Sequence, residues 1–362
     1  MRIGIVLTSE FHEELKKNEV ISVKSKHRAW LRDVDDRYVL KKGNKRYVTG
    51  DVALGCYLQY TYGAQGIQID MIFPKEVTLR RLHSNVLNFF IIFDRLECFH
   101  TQTSEFYRKF VNVMKQAKNI YPNYSFQDLI NYKSKYYTYL SKRDIAVIPY
   151  LHMKRSEWQK SKTENARLVL IRNFIAKAQQ KGWKGIVLKP ELGSESIDVE
   201  FFTLDTPPER IYSYLEKHLR MYEGIIMQQF VPGFNKNSPE YRTYFIGDEY
   251  KYTIITRFGP DKVLYPKDEG GTVETENMYK ARTLAKKTLK VLPNIVVQGV
   301  ELPRLLTRVD VGCCYSKQTP VWINEVEFVP SLYIKESPYF VEALLGDQMV
   351  KITKIFMKKK GL

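Results

Sequence analysis

Two short stretches near the C-terminus alternate strictly between charge and apolar bulk: Arg308-Val309-Asp310-Val311 and Glu325-Val326-Glu327-Phe328. Successive side chains of an extended chain point to opposite faces, so each stretch reads as a strand with one buried and one charged face. On adjacent strands the charged faces would bring Arg308, Asp310, Glu325 and Glu327 together. Three converging carboxylates repel one another unless a cation sits among them, and hard oxygen ligands of this kind suit Mg2+. A solvated face carrying cross-strand ion pairs fits the same pattern, and the alternation by itself leaves both readings open.

The rest of the 362-residue chain is long enough for two or three domains. Residues 1–120 read as a small α/β domain, with strands at 2–7, 66–73 and 86–93 and a helix at 106–117. The pattern breaks at 119–124, a natural boundary. Helices follow at 125–140, 165–181 and 207–222, with strands at 145–150, 185–190, 224–231, 241–245 and 249–258. A polar, glycine-rich loop at 259–272 precedes a helix at 278–291, strands at 305–312 and 321–328, and a C-terminal helix. The material is α+β in several layers.

Several chemistries are excluded. Cys56, Cys98, Cys313 and Cys314 have no zinc spacing, the six histidines offer no ligand pair, and no Ser–His or Cys–His arrangement stands out. No run of eighteen apolar residues exists. The short apolar run after Arg2 breaks at Thr8-Ser9-Glu10, which argues against an export signal, so the expectation is a soluble, cytoplasmic protein. The net charge of +17 fits nucleic acid or an anionic small substrate. Because only Lys358-Lys359-Lys360 forms a basic run, charge does not choose between them.

Three further motifs carry possible chemistry. In Lys189-Pro190-x-x-Gly193-Ser194-x-Ser196 a lysine at a strand end can reach phosphate oxygens, and the following turn offers amides and hydroxyls. An ordinary surface turn has the same composition. In Gln228-Gln229-Phe230-Val231-Pro232-Gly233 a strand edge runs into a turn and could meet an adenine ring, or could be only a buried strand. Arg242 and Arg257 flank two strands joined at Gly247-Asp248, where they either aim at anionic oxygens or cover a sheet face.

The order of these motifs, with Ser134-Lys135 and Ile148-Pro149 before them and Glu327-x-x-Pro330-Ser331 at the end, resembles the ATP-grasp superfamily. That superfamily includes D-alanine–D-alanine ligases and enzymes that add glutamate to protein ends. The resemblance covers about residues 120–335. It implies an ATP-grasp fold, two α+β subdomains gripping ATP, here 121–223 and 224–362, preceded by the small α/β domain at 1–120. It implies Lys135 and Lys189 as phosphate-binding lysines, and Gly193, Ser194 and Ser196 as a phosphate lid. Gln228, Gln229, Phe230 and Val231 match the adenine hinge, and Glu240 the ribose partner. Asp310, Glu325 and Glu327 resemble the ligands of two Mg2+ ions, and Arg308 the arginine supporting acyl-phosphate oxygens, with Arg242 and Arg257 as further anion-facing groups.

The chain departs from the family at Gln228, where glutamate is usual, at Glu327, where asparagine is usual, and in an insert at 235–239. The implied function is an ATP-dependent carboxylate–amine ligase working through an acyl phosphate. Its partners would be ATP, a carboxylate-bearing small molecule or peptide, and an amine acceptor, rather than nucleic acid or a membrane. A kinase-like phosphotransferase, a basic nucleic-acid-binding protein and a non-catalytic nucleotide sensor are the rival readings.

Overall fold

The computed structural model describes residues 1–7, 20–90, 104–193, 198–232, 234, 239–256, 275–313, 320–328 and 341–362. Three four-stranded sheets organise them. The first is parallel, in the order Gln68–Ile72, Arg2–Val6, Leu87–Phe90, Ile120–Tyr121. Apolar residues lie on both of its faces because both are covered. Ile3, Ile5, Leu87 and Phe89 pack into one core, shared with Val52 and Leu54 of the Gly50–Tyr62 helix. Val6, Ile72 and Phe90 pack into another, with Tyr107, Phe110 and Met114 of the Glu105–Gln116 helix. The Gly50–Tyr62 helix and a small sheet of Val20–Ser22, Lys45–Thr49 and Leu40–Lys42 were not read from the sequence.

The second sheet is antiparallel: Glu200–Thr203, Gly185–Pro190, Gly224–Gln229, Tyr150–Lys154. Ile186, Leu188, Phe202, Ile225, Met227 and Met153 form a core with Ile171 and Phe174 of the Glu164–Gln180 helix and Ile211 and Leu215 of the Pro208–His218 helix. By alternation Val187, Lys189, Ile226, Gln228 and His152 lie on the opposite face. Two expectations are corrected here. The Gly224–Gln229 strand, assigned from sequence to the unit beginning at 224, pairs within this central sheet. The strand expected at 145–150 lies at Tyr150–Lys154, since Pro149 has no amide hydrogen for a ladder. Ile145 and Ile148 are buried as core residues, and Val147 makes only an isolated bridge to Ile323.

The third sheet is also antiparallel: Glu249–Thr256, Glu240–Ile246, Leu306–Cys313, Val321–Glu327. Its apolar residues, with Ala281 and Ala285 of the Glu276–Val291 helix and Leu345 and Met349 of the Val341–Lys360 helix, join the core that reaches Ile3 and Leu54. Gly346 permits this close approach, for a Cβ there would stand 2.8 Å from the Tyr57 ring. The first and third sheets therefore share one core, whereas the central sheet keeps its own. Among the described residues no helix is long and apolar enough to cross a membrane.

Candidate active site

The alternating stretches form neighbouring strands, with Arg308 opposite Glu327 and Asp310 opposite Glu325. Arg308 holds Asp310 in a two-pronged contact, Nε to Oδ1 and Nη2 to Oδ2, each 2.7 Å, and reaches Glu327 Oε2 at 3.1 Å. Asp310, Glu325 and Glu327 bring carboxylate oxygens within 4.8 Å of one another. At an effective dielectric of about 20, two such charges 4.8 Å apart repel by roughly 3 kcal/mol. Burial pushes Asp310 up to about 7 even though Arg308 pulls the other way. The donor set is all oxygen and anionic, which fits a hard divalent cation such as Mg2+. Arg242 borders the cluster, its Nε 3.0 Å from Glu240 Oε2 and 3.9 Å from Asp310 Oδ2.

Two lysines face these carboxylates from the other side. Lys189, on the open face of the central sheet, donates to the Tyr137 hydroxyl at 3.3 Å. Desolvation, aided by the neighbouring Lys133 ammonium, lowers Lys189 to about 8 against the pull of Glu325 and Glu240. The second lysine is Lys133, whose Nζ lies 3.0 Å from Glu325 Oε1 and donates to the Gly193 carbonyl at 2.5 Å. Lys135, the lysine expected here from the sequence, does not face the cluster. The helix expected over 125–140 is two helices, Tyr124–Asn131 and Lys133–Ser141, because Tyr132 is extended (φ −90°, ψ 109°). Two residues along a helix turn a side chain by roughly 200°, so Lys135 faces away. Its Nζ pairs with Asp128 at 2.7 Å and stands 4.0 Å from the Tyr132 ring centroid.

Where the central sheet hands over to the third, Gln229 donates its amide to Pro149 O at 2.9 Å and Phe230 to Gly185 O at 3.0 Å. An adenine edge approaching this turn would thus meet Val231, the next amide along. The Phe230 ring lies 4.4 Å from that of Phe201, which is half exposed on the edge strand. Gln228 is buried beside Asn324, its Nε2 3.4 Å from Asn324 Oδ1, and Asn324 Nδ2 donates to Glu240 Oε1 at 2.6 Å. Glu240 is itself 3% exposed.

Lys133, Tyr137 and Asn324 were not singled out from the sequence, although Tyr137 donates to the Asn324 carbonyl at 2.6 Å and so ties the lysine helix to the acidic strand. Lys133 carried one signal, its place two residues before the lysine chosen. Arg257, Ser194, Ser196 and the 259–272 loop lie outside the described residues.

No protein-family model matches the chain, and no curated protein matches it in sequence. Solved structures do match in shape. D-cycloserine synthetase DcsG superposes with a TM-score of 0.59 at 18% identity, covering 82% of this chain and 93% of its own. D-alanine–D-alanine ligase from Bacillus anthracis, solved with ATP, gives 0.54 at 11% identity over 100% of both chains. A RimK domain ATP-grasp protein from Sphaerobacter thermophilus gives 0.52 at 10% identity over 97% of this chain and 100% of that one. With a small parallel-sheet layer preceding two antiparallel sheets, one carrying Lys189 and the other Asp310, Glu325 and Glu327, the chain has the ATP-grasp fold.

Proposed function

We propose that the chain is an ATP-dependent ligase joining a carboxylate to an amine. The observation that carries this reading is the meeting of Lys133 and Lys189 with the Asp310–Glu325–Glu327 cluster, cationic phosphate binders on one side and oxygen ligands on the other. Similarity of fold to a D-cycloserine synthetase and to a D-alanine–D-alanine ligase solved with ATP supports it.

In the proposed reaction a substrate carboxylate oxygen attacks the γ-phosphorus of ATP, and ADP leaves with the bonding pair. The resulting acyl phosphate is attacked at its carbonyl carbon by an amine, which loses a proton as inorganic phosphate departs. Phosphoryl transfer of this kind needs positioning and charge stabilisation more than a protein nucleophile. Lys133 and Lys189 would offset phosphate charge. Arg308, held flat by Asp310, would present its remaining edge to acyl-phosphate oxygens. The Val231 amide and Gln228 would take the adenine edge, and Glu240 the ribose. Asp310, Glu325 and Glu327 would hold Mg2+, one or two ions, and the metal when bound would neutralise the β- and γ-phosphate oxygens.

The test is release of ADP and phosphate with Mg2+ across amino acids and small peptides, with product masses recorded, for wild type and Glu325→Ala. Substrate-dependent release, an amide product and loss in the variant are expected. A phosphorylated product would replace the ligase reading with a phosphotransferase, and a folded wild type that binds no ATP would overturn both.

A further inference from the structure

The turn after Lys189 begins with a buried carboxylate that the proposed chemistry does not use. Glu191 is 5% exposed. Its Oε1 accepts a short hydrogen bond from the Ser134 hydroxyl, and its Oε2 lies 3.1 Å from His152 Nε2. Burial works against its charge, yet the contacts with His152 and Ser134 hold it below the usual carboxylate range.

The side chain reaches His152 only by passing over Gly224. A Cβ at that position would stand 2.3 Å from His152 Nε2 and 2.7 Å from Glu191 Oε2. The backbone of Glu191 is committed as well, its amide donating to Gly224 O at 3.0 Å and its carbonyl accepting from the Lys133 amide at 3.3 Å. The Lys133–Ser141 helix needs this help. Its N-cap residue, Tyr132, makes no side-chain capping bond, and its first amide, that of Lys133, is served from outside the helix. Two residues further on, Gly193 O accepts from Lys133 Nζ. Glu191 and Gly193 thus grip the first residue of the helix at both its amide and its ammonium.

We propose that Glu191, seated on Ser134 and His152 across Gly224, is a positioning residue that sets Lys133 toward the triphosphate end of a bound nucleotide. This rests on the nucleotide-binding part of the function proposed above. It predicts a selective defect: contacts to the β- and γ-phosphates weaken, while those to adenine and ribose, made at the opposite end of the Gly224–Gln229 strand and at Glu240 in the third sheet, do not.

The experiment compares dissociation constants for Mg·ATP and for AMP in wild type, Glu191→Ala, Glu191→Gln and Gly224→Ala, with thermal melting of each in parallel. Glu191→Ala and Gly224→Ala are expected to weaken ATP by about tenfold or more, the scale of losing one buried charge-assisted hydrogen bond, with AMP changed by less than about twofold. Glu191→Gln keeps an acceptor for Ser134 and should recover most of the ATP affinity. Equal losses for ATP and AMP would make Glu191 merely structural and overturn the proposal, as would unchanged ATP affinity in Gly224→Ala. Absence of ATP binding by wild type would instead overturn the nucleotide reading itself.

Discussion

Asn324 Nδ2 donates to Glu240 Oε1 across 2.6 Å, and this contact fixes which atom of Gln228 faces Asn324 and which is left over. A carboxylate gripped by Arg242 accepts hydrogen bonds, so the Asn324 atom facing it is nitrogen and the Asn324 oxygen faces Gln228. Gln228 then turns its own nitrogen to Asn324, leaving a buried carbonyl oxygen, Oε1, without a partner among the described residues. Such an acceptor suits a base with an exocyclic amino group and disfavours a keto group. Asn324→Leu frees Gln228 to rotate, and the preference for ATP over ITP should fall by about tenfold in competitive binding, the cost of one mispaired buried group.

Lys133 and Lys135 give a sharp contrast. Lys133→Ala should lower ATP turnover by about a hundredfold, the scale of removing one well-placed charge from a transferring phosphoryl group. Lys135→Ala, which breaks only the half-exposed pair with Asp128, should leave turnover within about twofold. Steady-state ADP production measures both.

The acidic cluster makes a prediction about metal. Adding Mg2+ should raise the melting temperature of the nucleotide-free wild type, since a ligand of the folded state alone stabilises it. Glu325→Ala should abolish that rise, and excess EDTA should reverse it in wild type.

In the first sheet Asp70 is 6% exposed, and burial alone would raise its pKa. Hydrogen bonds from Arg81 at 2.8 Å and Asn85 at 3.1 Å outweigh that and lower it. A carboxyl depressed in the folded state contributes stability above its unfolded value of about 3.9, and loses it as pH falls through the folded value. Asp70→Asn should therefore be destabilised by about 2 kcal/mol at pH 7. Urea titrations should show the gap to wild type closing below about pH 4.

Much of the third sheet was legible because its signal is local. Arg308 to Val311 and Glu325 to Phe328 alternate within four residues each, and the meeting of Asp310, Glu325 and Glu327 follows once the strands are neighbours. Lys133 was not legible, because residues 125–140 hold no proline or glycine to announce a break. The first turn of the Lys133–Ser141 helix is served by the Glu191 carbonyl and side chain, nearly sixty positions away. The Glu200–Thr203 strand escaped for a different reason. It is four residues long with Phe201 half exposed, so its adjacent phenylalanines show no clean period-two pattern.

The separate core of the central sheet bears on how the molecule comes apart. Cooperativity in unfolding spreads through continuous apolar packing, and packing here falls into a body shared by the first and third sheets, with the cluster of Val6 and Phe110 on the other face of the first sheet, and a separate body of Met153, Ile186, Ile225 and their neighbours. Polar contacts such as Lys189 to Tyr137 and Gln228 to Asn324, which water can replace, join the two at the site. Calorimetry of the empty protein should accordingly resolve two transitions. A nucleotide held by both bodies would fuse them into one, making the ligand a structural member of the fold it binds.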